Sequence, residues 1–420
     1  MNMKLCPAAL FTMLAIYAAL FTALFIQCSG QEGILDSLEY DENTSRTKRG
    51  DEQMQYQRTY GDLPYHLSSK TITNDVEWKD KNGNILETGR GGKISKIDGV
   101  WYWIGHQPSP SGGKWFDGGD IYLYKSTSLG SNSWQFVRKV YEFPEGETTG
   151  NCQIHRHPDN GTILVHCKGR KFFISYNGID GDYQQLDKPL DPSNTPDFKW
   201  GSSTVFQVKK NMYLAVSRCD KSSEKCNSRS RTAFIYKLDT SWTTFAPNPI
   251  VATWNWPNRE AYEIIKKGRW YYLFASETAG WRQSRTWYRR AKSLSKLAKA
   301  SDKEVMFHPK NTSKIKSMGT QFRIMMKVGR GKWLLGGSRH PDEDPANFDR
   351  KYGRNIFAPV RFIRGVPNVF WKSQFNWENY QYKSGEYDEH RHNGFGHGHQ
   401  PCNTHFENDC KFTAGCDWKT

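Results

Sequence analysis

A single carboxylate stands at the start of a strongly strand-forming stretch in the second half of the chain. Glu260 precedes a run of apolar and aromatic residues that breaks at Lys267-Gly268, a hairpin signal, and resumes as far as Ser276. A carboxyl group at the mouth of a buried strand costs free energy unless it is paired, hydrogen-bonded or kept protonated for chemistry. An ion pair with Arg259 or another nearby basic residue is the structural alternative, and proton donation is the chemical one.

The same pattern of two strands joined by a tight turn recurs five times along the chain. The turns lie at intervals of 50 to 63 residues, near Gly99, Gly161, Asn211, Gly268 and Gly331. A second pair of strands follows each of the first four hairpins, and after the fourth it is predicted at Trp287–Ala291 and Leu294–Leu297. A four-stranded unit at this period is typical of a propeller blade. The sequence therefore predicts an all-β fold, a five-bladed β-propeller at residues 60–380.

Polar residues precede the first strand in three of the five units. They are Arg90 in the first unit, Glu260 in the fourth and Gln321 in the fifth. The first strands of propeller blades line the central channel, so their leading ends face a pocket on one side of the disc. We therefore expect these three side chains to converge on one site.

Several motifs between Trp78 and Tyr380 carry a family resemblance. They include Trp78-Lys-Asp-Lys-Asn-Gly-Asn84, Arg90-Gly-Gly92, Arg259-Glu-Ala261, Thr278-Ala-Gly-Trp281 and Gly319-Thr-Gln321. Together they resemble glycoside hydrolase family 43, in particular the branch that includes exo-β-1,3-galactanases. The resemblance implies a five-bladed propeller that hydrolyses a glycosidic bond with inversion of configuration.

The resemblance also implies a role for the matching residues. Glu260 falls on the family's general acid, which protonates the leaving oxygen. Gln321 falls on the glutamine that replaces the catalytic base in this branch and orients water through its carbonyl oxygen. Trp281 would stack on a sugar ring, although blade packing is its ordinary alternative. The predicted substrate-binding residues are Arg90, Trp281, Asn151 and Arg339.

The chain departs from the family's pattern at three positions of the predicted site. Arg90 replaces a histidine, Asn151 replaces the carboxylate that modulates the acid's pKa, and Ser202 replaces an acidic residue of the third blade. Glu145 and Glu147 lie close to Asn151 in sequence and are candidate substitutes. Fewer carboxylates make the pocket more positive. Either the substrate carries carboxylate or sulfate groups that Arg90 contacts, or the site binds glycans without turnover.

The first 49 residues are predicted to be removed during processing. Residues 1–30 have the form of a signal peptide, with Lys4, an apolar run from Ala8 to Ile26 and a small-residue cleavage site. The apolar run is long enough that an uncleaved membrane anchor is the alternative. Residues 31–49 form a predicted propeptide that ends at a furin-type site, Arg46-Thr-Lys-Arg49. The sequence therefore predicts a secreted, extracellular protein.

Cysteines and glycosylation sequons agree with that destination. Cys152 with Cys167 and Cys219 with Cys226 are close enough in sequence to form disulfides. Three further cysteines lie among histidines in the tail, residues 381–420. A disulfide-linked tail is the default there, and zinc or copper binding is the alternative. Asn160 and Asn311 lie in sequons and are predicted to be glycosylated surface loops.

The formal net charge of +16 indicates anionic partners. For a secreted protein these are polysaccharides or the glycans of glycoproteins, including acidic ones, and membrane contact is expected only through an uncleaved N-terminal segment. Nucleic acid is not an expected partner, because no nucleic-acid motif appears. No cofactor is predicted, and a structural calcium ion in the central channel is left open.

Three functional hypotheses follow from these observations. The leading one is a secreted inverting exo-glycosidase that acts on galactan-like or acidic polysaccharides. The second is a catalytically inactive propeller that binds glycans or extracellular matrix. The third is a structural matrix protein that uses the His/Cys tail for cross-linking or metal capture.

Overall fold

The computed structural model describes most of the chain between residues 68 and 380. The described residues are 68–88, 92–108, 118–144, 147, 149–168, 170–186, 198–220, 231–279, 282–308, 310–311, 315–339 and 354–380. The predicted signal peptide, propeptide and C-terminal tail lie outside them, as do Arg90, Glu145, Cys226 and Trp281.

Five sheets form the blades of a β-propeller, four of them wholly antiparallel, which confirms the predicted fold. After a short strand β1 (Thr71–Thr73), blade 1 contains β2 (Lys93–Ile97), β3 (Val100–Pro108), β4 (Gly118–Ser126) and β5 (Gln135–Tyr141). Blade 2 contains β6 (Gln153–Arg156), β7 (Ile163–Cys167), β8 (Lys171–Ser175) and β9 (Gln184–Gln185). Blade 3 contains β10 (Phe198–Val208), β11 (Asn211–Asp220), β12 (Thr232–Leu238) and β13 (Phe245–Asn255).

Blade 4 keeps this pattern, and blade 5 differs from it at the outer edge. Blade 4 contains β14 (Arg259–Lys267), β15 (Trp270–Glu277), β16 (Thr286–Ala291) and a two-residue outer strand, β17 (Lys303–Glu304). Blade 5 has five strands, because β18 (Met306–His308) pairs in parallel with β22 (Val366–Phe370). Its other strands are β19 (Gln321–Gly329), β20 (Lys332–Arg339) and β21 (Arg354–Ile363).

The ends of the propeller are held together by strand pairing. β23 (Gln374–Asn376) pairs antiparallel with β1, in the register Thr71 to Asn376. Beside this pair, the Trp377 indole donates to Ser128 Oγ at 3.1 Å in blade 1. These contacts bring the first and last described strands together and tie them to the first blade.

Glycine at the predicted turns has the left-handed conformation that a tight hairpin requires. Gly99, Gly161, Gly268 and Gly331 all have positive φ, between 57° and 85°. In blade 3 the left-handed residue is Lys209, at φ 56°, and Asn211 already begins β11. The hairpin prediction is therefore confirmed, with the blade 3 turn shifted by two residues.

The predicted outer strand at Leu294–Leu297 is wrong. A 3-10 helix, Ser295–Lys299, occupies this segment and buries Leu297. The Arg289 guanidinium donates to the carbonyl oxygens of Leu297 and Ala298, at 3.3 and 3.2 Å. These side-chain contacts occupy the carbonyls that a strand ladder would need, and the outer strand forms later, as β17.

Aromatic residues fill the spaces between neighbouring blades. Trp103 and Trp134 of blade 1 lie 5.2 Å apart between ring centroids, and Trp103 also packs edge-on against Phe357 of blade 5. Between blades 3 and 4, Trp256 stacks on Tyr262 at 5.1 Å. Burying each such side chain stabilises the fold by about 1.5–3 kcal/mol. Much of the chain's tryptophan content therefore serves packing.

One predicted disulfide is present within blade 2. Cys152 and Cys167 are bonded, with their Cα atoms 4.1 Å apart. This bond joins the residue before β6 to the end of β7. Cys219 is also disulfide-bonded.

A buried ion pair connects the innermost strands across the centre of the propeller. The Lys93 ammonium of β2 donates to Thr204 Oγ1 of β10 at 2.9 Å and to the Tyr262 carbonyl oxygen at 3.2 Å. It also forms an ion pair with the Glu263 carboxylate of β14, and both side chains are at least 86% buried. The Gln153 amide of β6 bonds Thr204 Oγ1 at 3.0 Å. Four of the five blades thus meet in one polar network.

This network does not suit a calcium ion in the channel. Calcium takes six to eight oxygen ligands. Three oxygens that could serve, from Thr204, Tyr262 and Glu263, instead accept hydrogen bonds from the Lys93 ammonium. Within the described residues, no group of three or more His, Cys, Asp or Glu side chains could hold a metal ion.

In the same part of the chain, no helix is long and apolar enough to cross a membrane.

A buried histidine in this network makes the fold sensitive to acid. His166 is fully buried, its Nδ1 lies 2.9 Å from the Gln153 amide, and burial, with Lys93 nearby, lowers its pKa to about 3. The unfolded chain takes up a proton near pH 6.5, while the folded chain does not until about pH 3. We expect this contribution to stability to be present above pH 6.5 and to be lost as pH falls to about 3.

Urea titrations at several pH values check the acid dependence. His166 should contribute a slope of up to about 1.4 kcal/mol per pH unit between its two pKa values. The His166→Gln variant removes that titration, so its stability should fall less steeply on acidification than that of the unmodified protein. Equal slopes for the two proteins would contradict the assignment.

Candidate active site

A β-bulge aims the Glu260 side chain away from the regular ladder of blade 4. The register of β14 against β15 shifts between Glu260 and Glu263. Ala261 has φ 54°, a left-handed conformation that is strained for alanine. Bulges of this kind redirect side chains next to functional sites. The bulge therefore sets the direction of the Glu260 carboxyl group.

A serine of the neighbouring blade holds the bulge. The Ala261 N–H donates to Ser202 Oγ at 2.6 Å, which gives it a partner that the interrupted ladder does not supply. Ser202 lies on β10, within the segment between Trp200 and Ser203 where that strand's own register shifts. The position that the family resemblance assigns to an acidic residue thus has a positioning role here.

The predicted ion pair between Arg259 and Glu260 is not formed. The Arg259 guanidinium lies 3.6 Å from Asp302 and 4.6 Å from the Trp287 ring centroid. Glu260 Oε1 instead accepts hydrogen bonds from the Ala279 N–H at 3.2 Å and from Gln321 Nε2 at 2.6 Å. The predicted pairing with Arg259 is therefore wrong. Among the described residues Glu260 forms no other ion pair either, and its carboxyl group accepts from two neutral donors.

Burial raises the pKa of the Glu260 carboxyl group above its ordinary value. The Ala279 hydrogen bond, the positive charges of Lys168 and Arg231 and the Gln321 hydrogen bond each lower the pKa, and burial outweighs them. A raised pKa extends the pH range over which the carboxyl group keeps its proton. This is the property that a general acid needs.

Gln321 meets Glu260 from blade 5, as the sequence predicted. It is the first residue of β19 and is 8% exposed. A 3-10 turn, Ser317–Gly319, precedes it, and Thr320 Oγ1 closes that turn by donating to the Ser317 carbonyl oxygen at 2.6 Å. The amide nitrogen is the atom that contacts Glu260, so the Gln321 carbonyl oxygen does not face the carboxyl group.

Two cations near Glu260 were not predicted. Lys168 directly follows β7, and Arg231 directly precedes β12, so both lie at the end of their blades where Glu260 lies in blade 4. The Arg231 guanidinium lies against Gly201 and Ser217, where a methyl group on Gly201 would be 2.6 Å from Nη1. Its Nε is buried without a hydrogen bond, and Arg231 forms no ion pair within the described residues. The signal in the sequence that could have identified Lys168 and Arg231 is their position at the ends of strands.

The fold is similar to that of solved exo-β-1,3-galactanase structures. An exo-β-1,3-galactanase from Clostridium thermocellum superposes with a TM-score of 0.59 at 17% identity, covering 73% of this chain and 67% of that one. The exo-β-1,3-galactanase from Phanerochaete chrysosporium, solved as a Glu→Gln variant with β-1,3-galactotriose, gives 0.60 at 17% identity, covering 73% and 69%. The fold is the five-bladed propeller of these galactanases.

A third solved structure shares the fold, and two sequence comparisons found no match. A putative exo-β-1,3-galactanase from Bifidobacterium bifidum gives a TM-score of 0.56 at 16% identity, covering 72% of this chain and 97% of that one. No protein-family model matches the chain, and no curated protein matches it in sequence. At these identities the likeness extends to the fold.

The other predicted site residues have different surroundings. Asn151 is half-buried, has φ 49° and lies just before β6, at the end of blade 2 that corresponds to Glu260 in blade 4. Glu147 pairs with Lys171 at 2.6 Å. Arg339, at the end of β20, donates to Asp75 at 2.5 Å and to the Met318 carbonyl oxygen at 2.6 Å. The Arg339 guanidinium therefore stabilises the turn that precedes Gln321.

The two sequon asparagines differ in their hydrogen bonding. The Asn311 amide donates to Glu304 at 2.6 Å and accepts from the Ser317 N–H at 2.6 Å. Asn160 is exposed, and its carbonyl oxygen accepts from the Thr162 N–H at 3.0 Å. A glycan attaches through the amide nitrogen, which is already bonded in Asn311, so Asn160 is the better-placed acceptor.

Replacing Ser202 by alanine tests whether its hydroxyl group stabilises the bulge next to Glu260. The variant removes the hydrogen bond to the Ala261 N–H and leaves that strained residue without its partner. We expect the free energy of unfolding to fall by about 1–3 kcal/mol. Urea unfolding measures this change, with Ser241→Ala, an exposed serine of blade 3, as the control. An unchanged midpoint for Ser202→Ala would contradict the positioning role.

Proposed function

We propose that this protein is a secreted glycoside hydrolase that removes sugars from the ends of galactan-like or acidic polysaccharides with inversion of configuration. One observation carries the proposal. A buried glutamate with a raised pKa, Glu260, meets Gln321 at one end of a propeller shared with exo-β-1,3-galactanases. A protonated carboxyl group held in this way can donate a proton to a glycosidic oxygen.

Glu260 is the proposed general acid. Cleavage breaks the bond between the anomeric carbon and the glycosidic oxygen, and that oxygen takes the Glu260 proton as it leaves. The Ala279 N–H, which already bonds the carboxyl group, stabilises the carboxylate that remains. Water supplies the new bond to the anomeric carbon and returns a proton to the site.

Gln321 is the proposed water-positioning residue, and its contact with Glu260 requires the Gln321 side chain to move when substrate binds. In inverting enzymes the two catalytic groups lie about 6.5–9.5 Å apart, because the sugar and the water lie between them. Here Gln321 Nε2 lies 2.6 Å from Glu260 Oε1. Substrate entry must therefore break this hydrogen bond and move the Gln321 side chain. Catalytic contacts often rearrange in this way when substrate binds.

The charge around Glu260 supports an acidic substrate. Lys168 of blade 2 and Arg231 of blade 3 both act on the carboxyl group. The positions that the family resemblance assigns to carboxylates are Asn151 and Ser202, which carry no charge. A guanidinium without an ion pair in the described structure, such as that of Arg231, is suited to bind a carboxylate or sulfate.

A panel of polysaccharides tests the proposal. The protein without its predicted leader, residues 50–420, is incubated with neutral β-1,3-galactan and with galactans that carry uronate or sulfate groups. We expect a monosaccharide to be released, and faster from the acidic members. The absence of product from every polysaccharide would contradict a hydrolase.

A catalytically inactive glycan-binding protein is the second candidate function. The direct contact of Glu260 with Gln321 favours it, as does the absence of charge at Asn151 and Ser202. Saturable binding to an acidic polysaccharide, weakened steeply by salt and without product, is the result that this candidate predicts. Glu260→Gln would then leave the affinity for polysaccharide unchanged.

A further inference from the structure

A cluster of cations lies around Trp270, at the end of blades 4 and 5 that is opposite to the Glu260 site. We call it the Trp270 patch. Arg269, Arg290 and Lys292 contact the Trp270 ring and Lys267 contacts Phe362, and the other cationic members, Lys266, Arg361 and Arg364, lie at the same end of the two blades. Trp270 pairs with Lys267 at the far end of the strand that begins with Arg259 and Glu260. The patch is therefore about 20 Å along β14 from Glu260, at the other end of the blade.

Ring contacts bring these cations together. The Trp270 ring centroid lies 4.6 Å from the Arg290 guanidinium, 5.6 Å from that of Arg269 and 5.9 Å from the Lys292 ammonium. The Lys267 ammonium lies 5.0 Å from the Phe362 ring. Each contact is an attraction between a cation and an aromatic face. Aromatic rings of two blades thus gather cations that would otherwise repel one another.

Backbone contacts join the two blades at this place. Arg290 Nη1 donates to the Arg364 carbonyl oxygen at 3.4 Å, and the Tyr272 hydroxyl donates to the Gly365 carbonyl oxygen at 3.1 Å. The hairpin between β21 and β22 is therefore fixed against β15 and β16. The cations lie on short, paired strands and one tight turn, so the surface is held in shape before any ligand binds.

Five of the seven cations of the patch form no ion pair within the described part of the chain. None of the ion pairs there includes Lys266, Lys267, Arg269, Arg290 or Lys292. Lys266, Arg269, Lys292, Arg361 and Arg364 are exposed. Like charges held close together on a surface attract a polyanion and release counterions when it binds.

We infer that the Trp270 patch is a second binding surface, separate from the Glu260 site, and that its ligand is a sulfated or uronate-bearing polysaccharide. A linear polyanion would meet several cations at once, and the edge of Trp270 would meet a sugar ring. An anionic membrane fits less well, because membrane-binding surfaces insert apolar side chains. The exposed large hydrophobic residues of the described chain, Phe136, Tyr176, Ile250 and Met306, are not members of the patch.

The inference is tested by binding to immobilised heparin, a sulfated and uronate-bearing polysaccharide. The patch variant carries Lys266→Gln, Arg269→Gln and Lys292→Gln. The matched control carries Lys81→Gln, Lys303→Gln and Lys310→Gln, three exposed lysines elsewhere in the described chain that lose the same net charge. Each protein is measured at several salt concentrations, and its thermal unfolding is compared with that of the parent.

We expect the parent to bind heparin in a salt-dependent manner and the patch variant to bind about tenfold more weakly. The control should bind within about twofold of the parent. Equal losses in both variants would overturn the inference, because net charge alone would then explain binding. An unchanged patch variant would overturn it too. Vesicles with phosphatidylserine and a single-stranded DNA oligonucleotide serve as other probes, and tighter binding to either would overturn the choice of ligand.

Binding at the patch is kept separate from hydrolysis by the design of the experiment. All three proteins are prepared with Glu260→Gln, so that no polysaccharide is consumed during the measurement. The patch changes are also made in the protein with Glu260 intact. There we expect unchanged release of sugar from a short neutral oligosaccharide, since such a substrate does not extend to the patch. Absence of hydrolysis by the protein without patch changes would contradict the proposed function and leave the heparin result standing. Loss of hydrolysis in the patch variant alone would contradict a surface separate from the Glu260 site.

Discussion

Glu260→Gln is expected to lower kcat by about 10²- to 10⁴-fold, because a positioned general acid contributes an acceleration of that size. The amide has nearly the same shape and can still meet Ala279 and Gln321, so the thermal unfolding temperature should change little. Glu277→Gln is the matched control, since that carboxyl group lies opposite Arg259 in the same blade and accepts from the Trp287 indole at 3.3 Å. Its kcat should remain within about threefold of the parent's. An unchanged rate in Glu260→Gln would remove Glu260 from the mechanism.

The pH dependence of the same reaction follows from the pKa of Glu260. The protonated form is the active one, so kcat/KM should be highest below this pKa and should fall as pH rises through it. Arg231 lowers the pKa of Glu260, so Arg231→Gln should move the fall to higher pH. A neutral oligosaccharide is used for the measurement, because an acidic one would also lose its contact with Arg231. A fall that stays at the same pH, or moves to lower pH, would contradict this electrostatic link.

Lys93→Met is expected to cause the largest loss of stability. The variant leaves Glu263 buried at the centre of the propeller without its cation, and removing one partner of such a pair costs about 3–5 kcal/mol. Urea unfolding at pH 7 measures the loss. The double variant Lys93→Met with Glu263→Met removes both charges and should regain most of the stability. A single variant within about 1 kcal/mol of the parent, or a double variant no better than the single one, would contradict the role of the ion pair.

The acid dependence of Lys93→Met provides an independent check on the same ion pair. Burial raises the pKa of Glu263 in the folded protein, and Lys93 opposes that rise. Without Lys93, the carboxyl group is most compatible with the fold when it is protonated. Its contribution to stability is then fully present below the unfolded pKa and is lost as pH rises through the folded pKa. The difference in stability between parent and variant should therefore shrink as pH is lowered.

The repeated features of the fold were open to prediction because each is local in sequence. The turns at Gly99, Gly161, Gly268 and Gly331 need a left-handed residue between two apolar strands, and glycine supplies it at little cost. Five such hairpins at a regular interval determine the number of blades. Leu294–Leu297 was mispredicted because its apolar spacing suits a short strand as well as a 3-10 turn. The Arg289 side chain, which decides between them, belongs to another strand.

The site was predictable only in part, since its details depend on contacts between blades. Glu260 and Gln321 could be identified because both lie at the start of a blade's first strand. The bulge at Ala261 could not, because it depends on a hydrogen bond that the Ala261 N–H donates to Ser202 of blade 3. Lys93 has the sequence surroundings of an ordinary strand residue, and only the closed ring brings Glu263 to it. Arg231 likewise reaches the site only through the packing of blade 3 against blade 4.

The most direct test of the central claim is proton NMR of the first sugar released, recorded before the anomers equilibrate. The substrate is the polysaccharide that gives the most product in the panel, and Glu260→Gln is the parallel control. We predict that the first-formed sugar has the anomeric configuration opposite to that of the bond cleaved, and that the control releases none at a comparable rate. A first product with retained configuration, or no product from the unmodified protein, would contradict an inverting hydrolase with Glu260 as its acid.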